Sequence, residues 1–180
     1  MRPSLVEFTI VAPETRVSRI WKPSVTVAAV AEREGRFLLV EEHTEDGLRI
    51  NQPAGHLEPG ETLTEAVARE TLEETAHPFR PAALLGVYLW RSPDADRAKT
   101  YLRFAFTGDL DERIAGMALD HGIVRTLWLS PQELARRSAQ WRSPLVRRCI
   151  DDYLAGLRYP LELLVTHLSA MASVSADRPA

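Results

Sequence analysis

One cysteine, Cys149, stands among 180 residues, which excludes an internal disulfide and a thiolate cluster for zinc. A chain this poor in cysteine and otherwise ordinary in composition fits a reducing compartment, so it is expected to be cytoplasmic. No apolar run approaches the roughly 20 residues that a membrane-crossing helix needs, and the first residues lack the basic segment and apolar stretch of a secretion signal. Positive charge is not in excess either: 22 Lys and Arg stand against 25 Asp and Glu, a formal net charge of −3. No membrane and no nucleic-acid polymer are therefore expected as partners, because binders of such polymers carry a strongly basic face. An anionic small molecule has to be met locally, or through a cation. Internal repeats are also lacking. With 45% hydrophobic residues the chain can fill one core, and its composition changes only at the ends. Residues 1–20 read as an N-terminal extension, 21–162 as the domain, and 163–180 as a tail that the Ala- and Ser-rich stretch from Ser169 to Ala180 is expected to leave partly disordered.

What is present reads as strand pairs interspersed with helices. Val25 to Val30 and Phe37 to Val40 are β-branched or apolar runs separated by Glu32-Arg33-Glu34-Gly35, which predicts two strands joined by a tight turn at the glycine. Leu84 to Trp90 and Tyr101 to Thr107 repeat the pattern around Ser92-Pro93-Asp94. In the second of these runs Leu102, Phe104 and Phe106 alternate with Tyr101, Arg103 and Ala105, so another hairpin is expected. Three helices have readable starts. Thr62 and Glu65 form a T-x-x-E capping box opening a helix that runs to Ala76 and ends before His77-Pro78, since proline disfavours a helical residue ahead of it. Ser130, Pro131 and Glu133, with Leu129 and Leu134 as a hydrophobic staple, write a second start. Ser143-Pro144 opens a third helix, ending near Gly156. This alternation predicts an α/β sandwich with a mixed sheet.

The first helix carries the chemistry. At about 100° per residue, Glu70, Glu73 and Glu74 fall within an arc of roughly 100°, on the face that also bears Leu63, Ala66 and Val67. An amphipathic helix turns its apolar stripe inward, so three carboxylates are led from that stripe into the protein. A solvated acidic helix surface is the plain alternative. If the carboxylates are buried, cations must sit among them, and oxygen-rich clusters of this kind suit Mg²⁺, with Mn²⁺ able to substitute. Gly55, after Gln52-Pro53-Ala54, marks a sharp turn or a close approach just before the acidic helix, and its carbonyl can join the carboxylates.

Gly55, Glu61 and Arg69-Glu70-x-x-Glu73-Glu74, at this spacing over 22 residues as far as Ala76, resemble the Nudix box, and the surrounding elements resemble the Nudix hydrolase domain from about Trp21 to Glu162. The stretches Gln52 to Glu58, Leu102 to Phe104, Arg142 to Leu145 and Arg158 to Glu162 are similar to the NudJ-like phosphatase branch. The resemblance implies a Nudix α/β/α sandwich with a mixed β-sheet and a loop-helix-loop catalytic motif. It also implies an enzyme that cuts phosphoanhydride bonds of nucleoside di- and triphosphates or thiamine-pathway pyrimidine pyrophosphates with metal-activated water. Matched position by position, Gly55, Glu70, Glu73 and Glu74 are the implied metal ligands, and Glu70, Glu73 and Arg69 the implied catalytic residues. Arg69 orients the carboxylates and Glu61 holds the loop. The general base stays open between Glu70 and a carboxylate on a later loop. Thr71 in place of an aliphatic residue, Ala76 in place of glycine and His77 in place of the next aliphatic depart from the box and leave the exit geometry of the helix open.

Weaker signals have two readings each. Arg103 can meet a substrate phosphate or be a solvated arginine, as can Arg91, Arg97 and Lys99 around the second hairpin turn. Asp120, beside His121, can be the loop carboxylate or a turn former, and His56 can touch substrate or make a structural hydrogen bond. Tyr88, Trp90 and Trp128 can stack on a ring or fill the core. Two rival functions remain: a pyrophosphatase of dinucleoside polyphosphates or nucleotide sugars such as ADP-ribose, and a non-catalytic Nudix-fold module that only binds its ligand. Either way the partner is a small-molecule pyrophosphate, and the protein is a monomer or homodimer.

Overall fold

Alternate residues of the central strands feed two different cores, and this alternation sets the layers. The structure, a computed structural model, describes residues 21–93 and 99–167. Its strands are β1 (Ser24–Ala29), β2 (Glu32–Arg33), β3 (Arg36–Thr44), β4 (Gly47–Asn51), β5 (Ala54–His56), β6 (Phe79–Arg91), β7 (Thr100–Leu110) and β8 (Ile123–Leu129). Its α-helices are α1 (Leu63–Thr75), α2 (Pro131–Arg136) and α3 (Leu145–Leu154). Val27 and Ala29 of β1 pack with Ala66 and Val67 of α1 and with Phe106. Ala28 and Val30 point the other way, into a core with Leu134 of α2 and Val146, Cys149 and Ile150 of α3. Strands buried on both faces thus lie between α1 on one side and α2 and α3 on the other, the expected sandwich.

One sheet has the order β5-β1-β7-β6 and is mixed, with β1 parallel to β7 and the remaining pairs antiparallel. In the other, β3 pairs antiparallel with β8 along one edge and with β2 and β4 along the opposite edge. The β6–β7 hairpin is longer than the alternation predicts, and Asp94 and Arg97 of its turn lie outside the described residues, as do residues 1–20 and 168–180. The reading of β1 and β3 as a hairpin needs correction. The tight turn is real, but the strand that β3 turns back from is the two-residue β2, while β1 belongs to the other sheet. A turn signal reports the local reversal, not which longer strand is the partner.

Glu34 and Gly35 in that turn both have positive φ, 52° and 77°, as a two-residue type I′ hairpin turn requires. Glutamate has no local compensation for a left-handed backbone, whereas asparagine adopts it readily. Glu34→Asn is therefore expected to stabilise the fold by about 0.5–1 kcal/mol, read as a higher urea midpoint with unchanged slope. An unmoved midpoint would show that the turn carries no strain.

Candidate active site

Helix α1 begins as its sequence dictates. The Thr62 hydroxyl accepts the Glu65 N–H at 3.2 Å and the Glu65 carboxylate accepts the Thr62 N–H at 2.8 Å, satisfying donors that a helix start leaves open. Thr71 and Thr75 are fully buried, and their hydroxyls donate to the carbonyls of Val67 and Thr71, each at 2.6 Å. A polar residue thus fills an aliphatic position without leaving a hydroxyl unsatisfied. Ala76 adopts the left-handed cap, φ 58° and ψ 20°, and its N–H donates to the Leu72 carbonyl. The helix exit is intact despite the missing glycine. His77 is buried and its Nδ1 lies 2.8 Å from the Asp111 carbonyl oxygen.

This helix brings Gly55, Arg69, Glu70, Glu73 and Glu74 together. Arg69 is the hub. Its Nε and Nη2 donate to Glu61 at 3.0 and 2.8 Å, its Nη1 to Glu70 at 2.9 Å and to Glu73 at 3.1 Å, and its Nη2 also to the His56 carbonyl at 3.1 Å. Glu61 accepts the Glu58 N–H at 2.7 Å as well, so one guanidinium ties the loop to the helix. Glu70 lies directly over Gly55: a Cβ built there would stand 2.0 Å from the Glu70 carboxyl carbon. Glu74 is 9% exposed and accepts the Ala54 N–H at 2.8 Å. Glu70 and Glu74 are therefore led inward, whereas Glu73 keeps 44% of its side chain exposed.

Their electrostatics follow from that burial. Desolvation pushes the Glu74 carboxyl up to about 8; the Ala54 N–H opposes this, while the charges of Glu70, Glu42 and Asp120 add to it. Glu70 is raised too, chiefly by burial and against the pull of Arg69. Glu61 is lowered, first by its hydrogen bonds from Arg69. The same partnership raises Arg69 further and keeps it charged.

Two carboxylates join from elsewhere in the chain. The Asp120 N–H donates to the Glu73 carbonyl at 2.9 Å, so the loop carboxylate that the sequence leaves ambiguous is tied to α1 and acts on both Glu70 and Glu74. Glu42, on β3, was not legible as a site residue; its signal is the Glu41-Glu42 pair closing the buried run from Phe37. Burial raises Glu42, with Arg142, Asn51 and Arg103 opposing. Arg103 is 8% exposed, contrary to the solvated reading, and donates to Gln52 Oε1 at 3.4 Å. Arg91 and Lys99 are exposed, as is the His56 side chain. The Tyr88 hydroxyl donates to Asp152 at 2.9 Å, Trp90 stacks on Tyr101, and Trp128 packs edge-on against His77.

Carboxylate oxygens and a backbone carbonyl are the donor chemistry of a hard divalent cation. Glu74 and Glu70, both costly to ionise, are the groups that gain most from one. Among the described residues no three such side chains converge into a ready-made cage; Arg69 gathers Glu61, Glu70 and Glu73 instead.

The NUDIX domain model matches residues 21–149. The chain is 43% identical over 146 residues to Phosphatase NudJ of Escherichia coli (strain K12), covering 81% of this chain and 92% of that protein, and equally so to its namesake in Shigella sonnei (strain Ss046). Among solved structures, a NUDIX hydrolase from Nitrosomonas europaea superposes with a TM-score of 0.78 at 49% identity, covering 81% of this chain and 98% of that one. A MutT NUDIX hydrolase from Burkholderia pseudomallei, at 19% identity and a TM-score of 0.62 over 73% of this chain and 98% of that one, shares the fold.

Proposed function

The chain belongs to the Nudix hydrolases, and from that membership we propose that it is a Mg²⁺-dependent enzyme cleaving phosphoanhydride bonds of nucleoside di- or triphosphates or thiamine-pathway pyrimidine pyrophosphates. The observation that carries the reading is the Glu74 carboxyl, buried where the charges of Glu70, Glu42 and Asp120 oppose its ionisation, a cost that a bound divalent cation would reverse. A bound divalent cation supplies Lewis acidity to the phosphoryl oxygens and lowers the pKa of a water. Gly55, through its carbonyl, and Glu70, Glu73 and Glu74 are the residues that would hold it. Arg69 keeps Glu70 and Glu73 oriented. Glu70 is proposed as proton acceptor because it is seated over Gly55 and held by Arg69; Asp120 is the other carboxylate whose charge acts on the cluster.

The domain extends to Glu162 on this reading, since Leu161 still packs against the core around α1; Leu164, in the segment read as tail, packs there as well. Among the described residues no helix is long and apolar enough to cross a membrane; a cytoplasmic monomer or homodimer acting on a small molecule remains part of the proposal. The test is a substrate panel with Mg²⁺ or EDTA: thiamine-pathway pyrophosphates, nucleoside di- and triphosphates, ADP-ribose and a dinucleoside polyphosphate, with products identified chromatographically. Cleavage of the first two classes, abolished by EDTA, is expected. Preference for ADP-ribose or the dinucleotide would move the substrate assignment, and binding without cleavage would sink the catalytic one. In the same assay Glu70→Gln is expected to cost about 100-fold or more in kcat, as loss of a general base does; a larger loss in Asp120→Asn transfers that role.

A further inference from the structure

Arg103 is the charged group that the proposed chemistry leaves unused. Among the described residues it makes no ion pair, and its one hydrogen bond, to Gln52 Oε1, is long at 3.4 Å. Among the described residues its Nε–H has no hydrogen-bond partner, nor has the Thr26 hydroxyl, the Asn51 carbonyl oxygen or one oxygen of Glu42, which Arg142 approaches at 4.0 Å. Thr26, Asn51 and Arg103 are more than nine-tenths buried. Burial pulls the Arg103 pKa down while the charges of Cys149, Glu42, Glu74 and Tyr101 oppose it. Unsatisfied polar atoms in such places cost stability, and native structures keep them where something else completes them.

Pairing places these groups relative to the acidic helix. Thr26 on β1 lies opposite Arg103 on β7 and opposite His56 on β5, so the three side chains share one face of the sheet. His56 follows Gly55 directly. At about 4.8 Å between neighbouring strands, the Arg103 backbone is about 10 Å from the Gly55 segment; its side chain stands on the face that Ala28 and Ala105 turn toward α3, where the charges of Glu42 and Glu74 still act on it. Gln52 fixes the direction: its Nε2 donates to the Val146 carbonyl of α3 at 2.7 Å, which turns its own carbonyl toward Arg103. A guanidinium presents a planar fork that matches phosphoryl oxygens.

We propose that Arg103, oriented by Gln52 and flanked by Thr26, anchors a phosphoryl group of the substrate. The class of ligand rests on the hydrolase reading above. A purely structural arginine, balancing Glu42 and Glu74, is the alternative, and it predicts unchanged anion affinity when Arg103 is replaced.

The probe is methylenediphosphonate, whose P–C–P bridge resists hydrolysis, titrated calorimetrically with Mg²⁺ into wild type, Arg103→Met and Arg103→Lys. The full chain is used throughout, and Mn²⁺ alone, followed by electron paramagnetic resonance, reports on the carboxylates. Losing a charge-assisted fork is expected to weaken diphosphonate binding about 10- to 100-fold in the methionine variant and about 5- to 10-fold in the lysine variant, with Mn²⁺ affinity within about 2-fold of wild type. For a cleaved substrate KM rises more than kcat falls. Diphosphonate affinity equal to wild type in folded Arg103→Met overturns the proposal. Should that variant not fold, Arg103→Lys decides, because it keeps the charge and loses only the fork; unchanged affinity there overturns it equally. Binding is read without turnover, so a wild type that cleaves nothing counts against the proposed function, and unchanged diphosphonate affinity counts against Arg103.

Discussion

Glu74→Gln is expected to lower kcat/KM by about 1,000-fold or more while raising the thermal stability of the metal-free protein. On the proposed reading, the activity loss follows from removing a charged ligand of the divalent cation. The gain in stability follows from the position of the carboxyl. Folded, it titrates at about 8; its ordinary value is 4.5. Between those values the folded chain still holds a proton that the unfolded chain has released, so stability declines as pH rises from about 4.5 to about 8. At pH 7 the deficit is of the order of 3 kcal/mol. Glutamine has the shape of the protonated side chain and can still accept the Ala54 N–H. In EDTA the variant and the wild type are therefore expected to melt together near pH 4.5 and to separate as pH rises, the variant higher. Equal melting temperatures at pH 8 would show that Glu74 ionises without cost and that the charge cluster exerts no strain.

Gly55→Ala is expected to cost about 100-fold or more in kcat with little change in stability, since displacing a reacting group by about 1 Å suffices for such a loss. The reason is steric. The φ of Gly55 is not among the positive ones, so alanine fits the backbone, but its Cβ would lie about 2 Å from the Glu70 carboxyl atoms. That carboxyl is the free end of a flexible side chain and yields, moving away from its 2.9 Å contact with Arg69. Fold and helix remain; Glu70 leaves its place. Combined with Glu70→Gln, the two losses are expected not to add, because both act on one group. Additive losses in the double variant would mean that Gly55 matters through something other than Glu70.

Features written in consecutive residues were legible in the sequence. The limits of α1, its capping box and the second capping box at Ser130 and Glu133 all stand as read, because helix starts are encoded within four residues. The β6–β7 hairpin stands because alternation and turn adjoin each other. The partner of β1 was not legible: β7 lies far along the chain, and only the three-dimensional packing selects it over the nearby β3. The same limit governed the site. Gly55, Arg69, Glu70, Glu73 and Glu74 are close in sequence and were found together. Asp120 and Glu42 reach them by tertiary contact, so a turn-forming aspartate and a strand-end glutamate looked no different from others of their kind. Sequence alone leaves Arg103 open between solvent and phosphate because most arginines are exposed, and nothing local reveals that the pairing with β1 buries this one.

The parallel pairing of β1 with β7 also has a kinetic meaning. Thr26 and Arg103 become neighbours only when two strands distant in the chain align, a contact that must overcome a large loop-closure entropy before it gains anything. The capped helix with its carboxylates can begin to form from local interactions, whereas the floor beneath it cannot. A nascent chain released before Leu110 is complete thus carries the acidic helix without its counter-surface. A ligand that binds only the folded molecule adds its binding free energy to that molecule's stability.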